Sequence, residues 1–383
     1  MPIWLIVTMA ALIVLITGHI TPLQAVNSVD FNIIFYLLGV FIIGSALEQS
    51  NYLEQVMLHL FKWAHTGSQL LAILILFSGF STMLLMNDTI AIVGAPAILL
   101  LCKKTNISPL PLLLALAYTL TLSSVTSPIA NPQNLLIANQ INTPFVHFFH
   151  SLLLPTLLNG VILFIYLRLC FHQQLSTIQR IEEPHLNVDK NLAKLAKLAV
   201  IILFLFICVQ ITLSLFNPEW HIAFSIIALV SASPIILKHR QRLSLIQSID
   251  WHTLLFFISL FIFIESVWLT NYFQTFFTNL NLQLTHPLTI TGVSLLLSQL
   301  ISNVPLVILY LPFLQNGPVD SYMILAMAST MAGNLFILGA ASNIIIIQNV
   351  EKRGEKAFTF AQFSLFGIPL CLLQVAVYLL FIS

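Results

Sequence analysis

TLSSVTSPIANPQN (121–134) and TMAGNLFILGAASN (330–343) occupy corresponding places in two halves of one 383-residue chain, at a shift of 209. Working outward, Asn87 is followed nine residues later by Pro96, and Asn303 nine residues later by Pro312. Upstream, Asp30 and Asn51-Tyr52 line up with Asp250 and Asn271-Tyr272 at a shift of 220. One aligned pair would be chance; an ordered series is a duplication. Each copy breaks a membrane-length apolar segment with polar residues, and duplicated halves with interrupted helices are the mark of a secondary transporter.

The composition sets the solvent. With 58% hydrophobic and 7% charged residues and a mean hydropathy of +0.98, the chain has too little polar surface to face water. We read an all-α polytopic membrane protein built as two inverted repeats with re-entrant hairpins and broken transmembrane helices. Roughly 20 apolar residues span a core of about 30 Å. That length places crossings near 3–18, 31–48, 111–142 (broken), 150–169, 199–216, 221–237, 251–268, 322–349 (broken) and 362–382. Segments 69–101 and 288–315 consist of two shorter arms parted at Asn87 and at Ser302-Asn303, and read as hairpins that enter and leave on one side.

The first repeat then covers 1–170, a cytoplasmic linker without its own core covers 171–198, and an extra helix with the second repeat covers 199–383. An odd number of crossings between equivalent points turns the second repeat upside down. With the N-terminus cytoplasmic and the C-terminus outside, all 14 Lys and Arg fall in inner loops, from Lys62, Lys103 and Lys104 through Arg168 and Arg180 to Lys352, Arg353 and Lys356, as the positive-inside rule requires. The apolar N-terminus lacks the basic flank of a signal peptide and has a counterpart at 221–237, so it reads as a helix. The four cysteines stand singly, which supports neither a disulfide framework nor a zinc site. No basic cluster suggests nucleic acid. Two segments ahead of the hairpins, around Leu53–Phe61 and Phe273–Phe277, carry apolar residues at helical spacing and suit the membrane interface.

In hydrocarbon an unpaired backbone group costs several kcal/mol, so a broken helix persists only where it lines a polar cavity or packs in protein. Pro128 and Pro132 stop the first broken crossing, and Gly333 and Gly339 loosen the second. Freed carbonyls suit a cation, and new helix N-termini suit an anion. Around the first break stand Asn87, Asp88, Thr89, Ser123, Ser124, Thr126, Ser127, Asn131, Gln133 and Asn134; around the second, Ser302, Asn303, Asn334, Ser342 and Asn343. Any one of these suits a plain interhelical bridge, but their clustering at equivalent breaks points to a binding site.

Asp88 is singled out because a carboxylate at mid-membrane costs about 2.5 kcal/mol or more unless paired or protonated. No Lys or Arg falls within an expected span except Arg168, at the inner end of 150–169, so its partner is Na⁺, H⁺ or polar dipoles, and a Na⁺ site at Asn87, Asp88 and Asn131 is expected. Glu48 and Glu265 lie near helix ends, where they reach water.

The tip MNDT (86–89), the run TSPIANPQNLLI (126–137), SNVP (302–305) and GAASNIII (339–346) resemble the ion transporter superfamily of divalent-anion/sodium symporters, arsenite permeases and sodium-proton antiporters. The likeness leans to uncharacterised anion-permease relatives of the arsenite-permease branch. It implies a scaffold, a transport domain moving like an elevator, and dimers built through the scaffold. By match, Asn87 and Thr89 with the 123–131 loop form one cation site, and Ser302 and Asn303 with Gly333, Asn334 and Ala340 a second. The tips depart from the Ser-Asn-Thr of dicarboxylate carriers at Met86, Asp88 and Val304, and Ala130 replaces a common Gly.

The sequence therefore reads as a secondary transporter of a small anion or oxyanion, coupled to Na⁺ or H⁺ and needing no organic cofactor, in the plasma (inner) membrane. A sodium-proton antiporter and an arsenite efflux permease are the alternatives, with a non-transporting sensor behind them. An intramembrane enzyme would need paired carboxylates, HExxH or a GxSxG nucleophile within a span, and the sequence has none.

Overall fold

The computed structural model describes residues 2–105, 107–175, 187–217, 221–279, 282–315 and 317–382. Among them every regular element is helical. The first half runs α1 (Ile3–Ile16), α2 (Pro22–Ser28), α3 (Phe31–Gln49), α4 (Tyr52–Phe61), α5 (Gly67–Leu84), α6 (Asn87–Thr105), α7 (Pro109–Ser124), α8 (Pro132–Ala138) and α9 (Pro144–Cys170). After α10 (Lys190–Phe216) the same order returns. It comprises α11 (Phe224–Lys238), α12 (Arg242–Ser248), α13 (Trp251–Leu269), α14 (Tyr272–Asn279), α15 (Pro287–Ile301), α16 (Asn303–Tyr310), α17 (Val319–Met331), α18 (Ala341–Glu351) and α19 (Phe360–Ile382). Helices α3, α5, α9, α10, α13 and α19 are each long and apolar enough to cross a membrane.

The duplication is written into the backbone as well as the residue types. Asp30 caps α3 by accepting from the Ile33 N–H at 3.2 Å, and Asp250 caps α13 by accepting from the Thr253 N–H at 3.1 Å. Asn51 and Asn271, which end those helices' turns, take left-handed φ values of 55° and 56°. Asparagine tolerates that region better than other side chains, which is why the same residue stands at both corners.

Packing is reciprocal. Helix α1 lies on α13 and α11 on α3; α6 lies on α18 and α16 on α8. Such an exchange of partners is what a two-fold relation between halves produces. Helices α9 and α19 meet each other on the pseudo-axis. There the Asn159 side chain donates to the Gln374 carbonyl at 3.1 Å and the Gln374 side chain donates to the Asn159 carbonyl at 3.3 Å, while the Thr156 and Tyr378 hydroxyls bond to each other. Helices α7 and α17 are almost wholly buried. By contrast α1, α9, α10 and α19 each leave an apolar face exposed, the pattern of helices that border lipid.

Two boundaries differ from expectation. The hairpin arms are longer than their apolar cores suggest: α5 has 18 residues, about 27 Å. The hairpin nevertheless ends inside the fold, because the Asn87 N–H at its tip donates to the Ala130 carbonyl in the middle of the first broken crossing, at 3.0 Å. Helix α10 begins at Lys190, nine residues before the expected 199. Asp189 caps it by accepting from the Asn191 and Leu192 N–H groups, and Leu192, Ala193, Ala196 and Ala199 form its buried stripe. The linker is shorter accordingly; residues 176–186, with Arg180, lie outside the described residues.

Close approach of α19 to the second break requires a glycine. A Cβ at Gly367 in α19 would fall 2.3 Å from the Asn334 carbonyl oxygen and 3.2 Å from the Tyr118 ring, whereas one at Gly160 in α9 would meet nothing within 4 Å. Overpacking typically costs about 1–3 kcal/mol, and a backbone oxygen yields less than a side chain. Gly367→Val is therefore expected to lower the thermal unfolding midpoint of detergent-solubilised protein by several degrees and Gly160→Ala to leave it in place; equal midpoints would refute the packing argument.

Candidate functional site

The first break is a buried loop closed by its own asparagine. Helix α7 stops at Ser124, and α8 restarts with Pro132 in its first turn and Asn131 as N-cap, whose Oδ1 accepts from the Asn134 N–H at 2.8 Å. Proline suits that first turn because its missing N–H would have had no helical partner. The Asn134 side chain reaches back and donates to the carbonyls of Ser124 at 2.8 Å and Ser127 at 3.0 Å. These are the backbone groups that the break orphans. Hydroxyls of Ser124 and Thr126 are spent locally, on the Thr121 and Ser123 carbonyls. Ser123, Ser127 and Gln133 are buried alongside.

The second break repeats the device. Two 3-10 turns, Ala332–Asn334 and Ile337–Gly339, bridge α17 to α18. The Asn343 side chain donates to the Gly333 carbonyl at 2.9 Å, and Gly333 is the aligned equivalent of Ser124. At the hairpin tip the Asn303 side chain donates to the Gly339 carbonyl at 2.9 Å, just as the Asn87 N–H serves the equivalent Ala130. Thr330 ties the two sites together: it accepts from the Asn131 side-chain amide at 3.4 Å and donates to Asn134 Oδ1 at 3.2 Å.

The two breaks differ in what they leave unmet. At the second, Gln299 Oε1, Asn303 Oδ1, Asn334 Oδ1, Asn343 Oδ1 and Ser342 Oγ are buried without a hydrogen-bond partner. At the first, among the sequence-expected residues, only Asp88 Oδ1 is in that position. Five neutral oxygens with no donor fit a hard monovalent cation, since buried polar atoms are otherwise satisfied. Asn131 Oδ1 is already engaged as a cap; of the first-half trio, the buried oxygen without a partner belongs to Asp88. It lies half-buried in the first turn of α6, where the helix dipole favours a negative charge.

All of the expected residues but one are buried or half-buried. Asn87 and Thr89 are buried at the first tip, and Thr89 packs so closely on α3 that a Cβ at Gly44 would come 2.8 Å from its Oγ1. Ser302 stands exposed at the second tip with a φ of 72°, a conformation non-glycine residues seldom adopt.

Sequence reasoning missed three participants. Gln299 donates to the Ala332 carbonyl at 2.8 Å, and its place in the apolar arm LLLSQLIS (295–302) was the available signal. Thr330 sat within the quoted motif. Tyr36 on α3, whose hydroxyl donates to the Ile129 carbonyl at 3.1 Å, carried no local signal. A separate cavity of about 250 Å³ lies at the far end of α8, lined by Asn32, Asn139, Asn142, Gln210 and Phe224 among others, away from both breaks.

With that geometry in view, the relatives are informative. A "46 kDa membrane protein" of Mycobacterium leprae is 27% identical, covering 91% of this chain and 85% of its own. The "Putative transporter arsB" of Dictyostelium discoideum is 22% identical over 94% of this chain and 83% of its own. The "Silicon efflux transporter LSI3" of Oryza sativa subsp. japonica is 23% identical over 96% and 90%. In fold, the chain is similar to the Alcanivorax borkumensis YdaH transporter, with a TM-score of 0.56 at 12% identity, over 91% of this chain and 84% of that one. Residues 1–321 match the family described as CitMHS, citrate transporter, and the chain, a multi-pass membrane transporter, belongs to that family.

Proposed function

We propose that the protein is a secondary active transporter of a small anion or oxyanion, driven by Na⁺ or H⁺ and working by an elevator-like alternation of access. The observation that carries this reading is that five oxygens on residues of the second break and its hairpin are buried without a hydrogen-bond partner, groups of the kind a bound cation takes up. The N-terminus of α6 lies at the first break, where the Asn87 N–H meets the Ala130 carbonyl, and that of α16 at the second, where the Asn303 side chain meets the Gly339 carbonyl. Each supplies about half a positive charge, so an anion can be held where no Lys or Arg stands. In this reading Asn303, Asn334, Ser342 and Asn343, with Gln299, hold one cation. Asp88 beside Asn87 carries a second, as Na⁺ or as its own proton.

Helices α5 to α9 and α15 to α19 form the moving unit; α1, α3, α10, α11 and α13 form the scaffold, through which a homodimer assembles. Helices α4 and α14 link the two. The N-terminus is cytoplasmic, the C-terminus outside, and the membrane the plasma (inner) one. Tyr36 then holds the first loop against the scaffold through a bond that must break during each stroke.

A second reading follows from Asp88 itself. A bare carboxylate disfavours an anion beside it, and exchange of a neutral weak oxyacid for H⁺ avoids that repulsion; similarity to a silicon efflux transporter of rice is compatible with such a cargo.

In proteoliposomes, Asp88→Asn is expected to abolish the dependence of uptake on the driving gradient while leaving equilibrium exchange of cargo. Full retention of both pH and Na⁺ dependence would remove Asp88 from the coupling. Asn303→Ala is expected to raise the half-saturating cation concentration at least about tenfold, about 1.4 kcal/mol of lost binding; an unchanged concentration would place the cation elsewhere. Tyr36→Phe deletes one hydrogen bond, about 1 kcal/mol, and is expected to change the exchange rate without changing half-saturation. A shift in half-saturation at constant rate would contradict a role in the stroke.

A further inference from the structure

Helix α15, the first arm of the second hairpin, has two unlike faces. Leu288, Leu296 and Leu300 are 65%, 71% and 80% exposed, whereas Thr291, Ser294 and Ser298 are 5%, 0% and 1% exposed. The three hydroxyl residues follow helical spacing and lie on one buried face, which continues through Gln299 to Asn303 at the tip.

A hydroxyl in an apolar helix ordinarily donates to the carbonyl one turn back. Ser78 and Thr82 do so on α5, the equivalent arm of the first half, with Thr82 donating to the Ser78 carbonyl at 2.7 Å. Ser231 and Ser329 do the same in their helices. Thr291, Ser294 and Ser298 do not: their side-chain oxygens are buried and without any hydrogen-bond partner, as are Gln299 Oε1 and Asn303 Oδ1. From Thr291 to the end of α15 at Ile301 is ten residues, about 15 Å of helix, or about half of a bilayer core of about 30 Å. A row of unmet oxygens therefore runs from near the start of the hairpin to the second break. Such groups are satisfied by ordered water when no protein partner is present.

We propose that this face of α15 holds a file of ordered water molecules and is the route by which the coupling cation passes between the outer surface and the second break. The proposal rests on the cation-coupled reading above and adds to it a path, where that reading assigns only the destination. A hydrated Na⁺ moves along such a file by exchanging water for hydroxyl oxygens, and a proton by transfer between waters; either needs the three hydroxyls and neither needs a charged side chain. The first half has no equivalent, since its arm spends the corresponding hydroxyls on its own backbone.

The full chain in proteoliposomes tests this with two fluxes, radioactive Na⁺ counterflow at zero pH gradient and proton flux into Na⁺-free choline medium. Equilibrium thermal stabilisation by the same cation in detergent is measured alongside. The variant Thr291→Val/Ser294→Ala/Ser298→Ala is compared with Ser78→Ala/Thr82→Ala. The triple variant is expected to lose at least about tenfold of the flux that the wild type shows, with its half-stabilising cation concentration unchanged within about twofold; the α5 variant is expected to keep its flux within about twofold. Ser298→Thr, which retains a hydroxyl, is expected to conduct better than Ser298→Ala, and this pair decides the matter if the triple variant does not fold. Unchanged flux in the triple variant, an equal fall in the α5 variant, or equal flux in the two Ser298 variants overturns the path. A wild type that shows neither flux nor stabilisation overturns the coupling reading itself, so the two failures are told apart.

Discussion

A helix broken inside a bilayer must find partners for the carbonyls it frees, and here one side chain per half supplies them. Asn134 donates to Ser124 and Ser127, and Asn343, at the aligned position, donates to Gly333. An amide is suited to the task because it offers two donors without charge, and an ionised group at that depth would cost more than the break it mends. The rest of the centre depends on these clasps. They hold the loops compact enough for the hairpin tips to dock, Asn87 on Ala130 and Asn303 on Gly339, and docking sets the start of α6 at the first break and that of α16 at the second.

The architecture was legible because the bilayer leaves few options. Span length, the positions of Pro and Gly, and the asymmetry of Lys and Arg each follow from the cost of polar groups in hydrocarbon, and an inserted duplication repeats every one of those marks. Asp30 and Asn51 could be matched to Asp250 and Asn271 because caps and left-handed corners restrict residue choice. The start of α10 was misplaced for the converse reason: Lys190, Lys194 and Lys197 read as linker, whereas Asp189 caps a helix that keeps those lysines on its aqueous first turns.

The site was legible as a set of residues and not as a network. Which of Asn131, Asn134, Asn303 and Asn343 spends its oxygen internally and which leaves it unmet depends on Thr330, Gln299 and the backbone of the opposite half, all distant in sequence. Composition favoured the first half because it contains the acid; geometry adds the second, where four amide oxygens and a hydroxyl remain without donors. Tyr36 lay beyond reach altogether, since a tyrosine on an apolar helix gives no sign of the carbonyl it will meet from another segment.

Inequality between the copies is what gives a two-fold architecture a direction. If both breaks held the same ligands with the same partners, exchanging the inner and outer states would exchange identical halves, and neither cargo nor ion would distinguish them. Asp88 has no acidic counterpart beside Asn303, the hydroxyls of α5 are spent where those of α15 are not, and Tyr36 on α3 aligns with Phe256 on α13, which has no hydroxyl to give. Each difference places a polar function on one half only. The fold repeats one arrangement twice, and the side chains make the two copies chemically distinct.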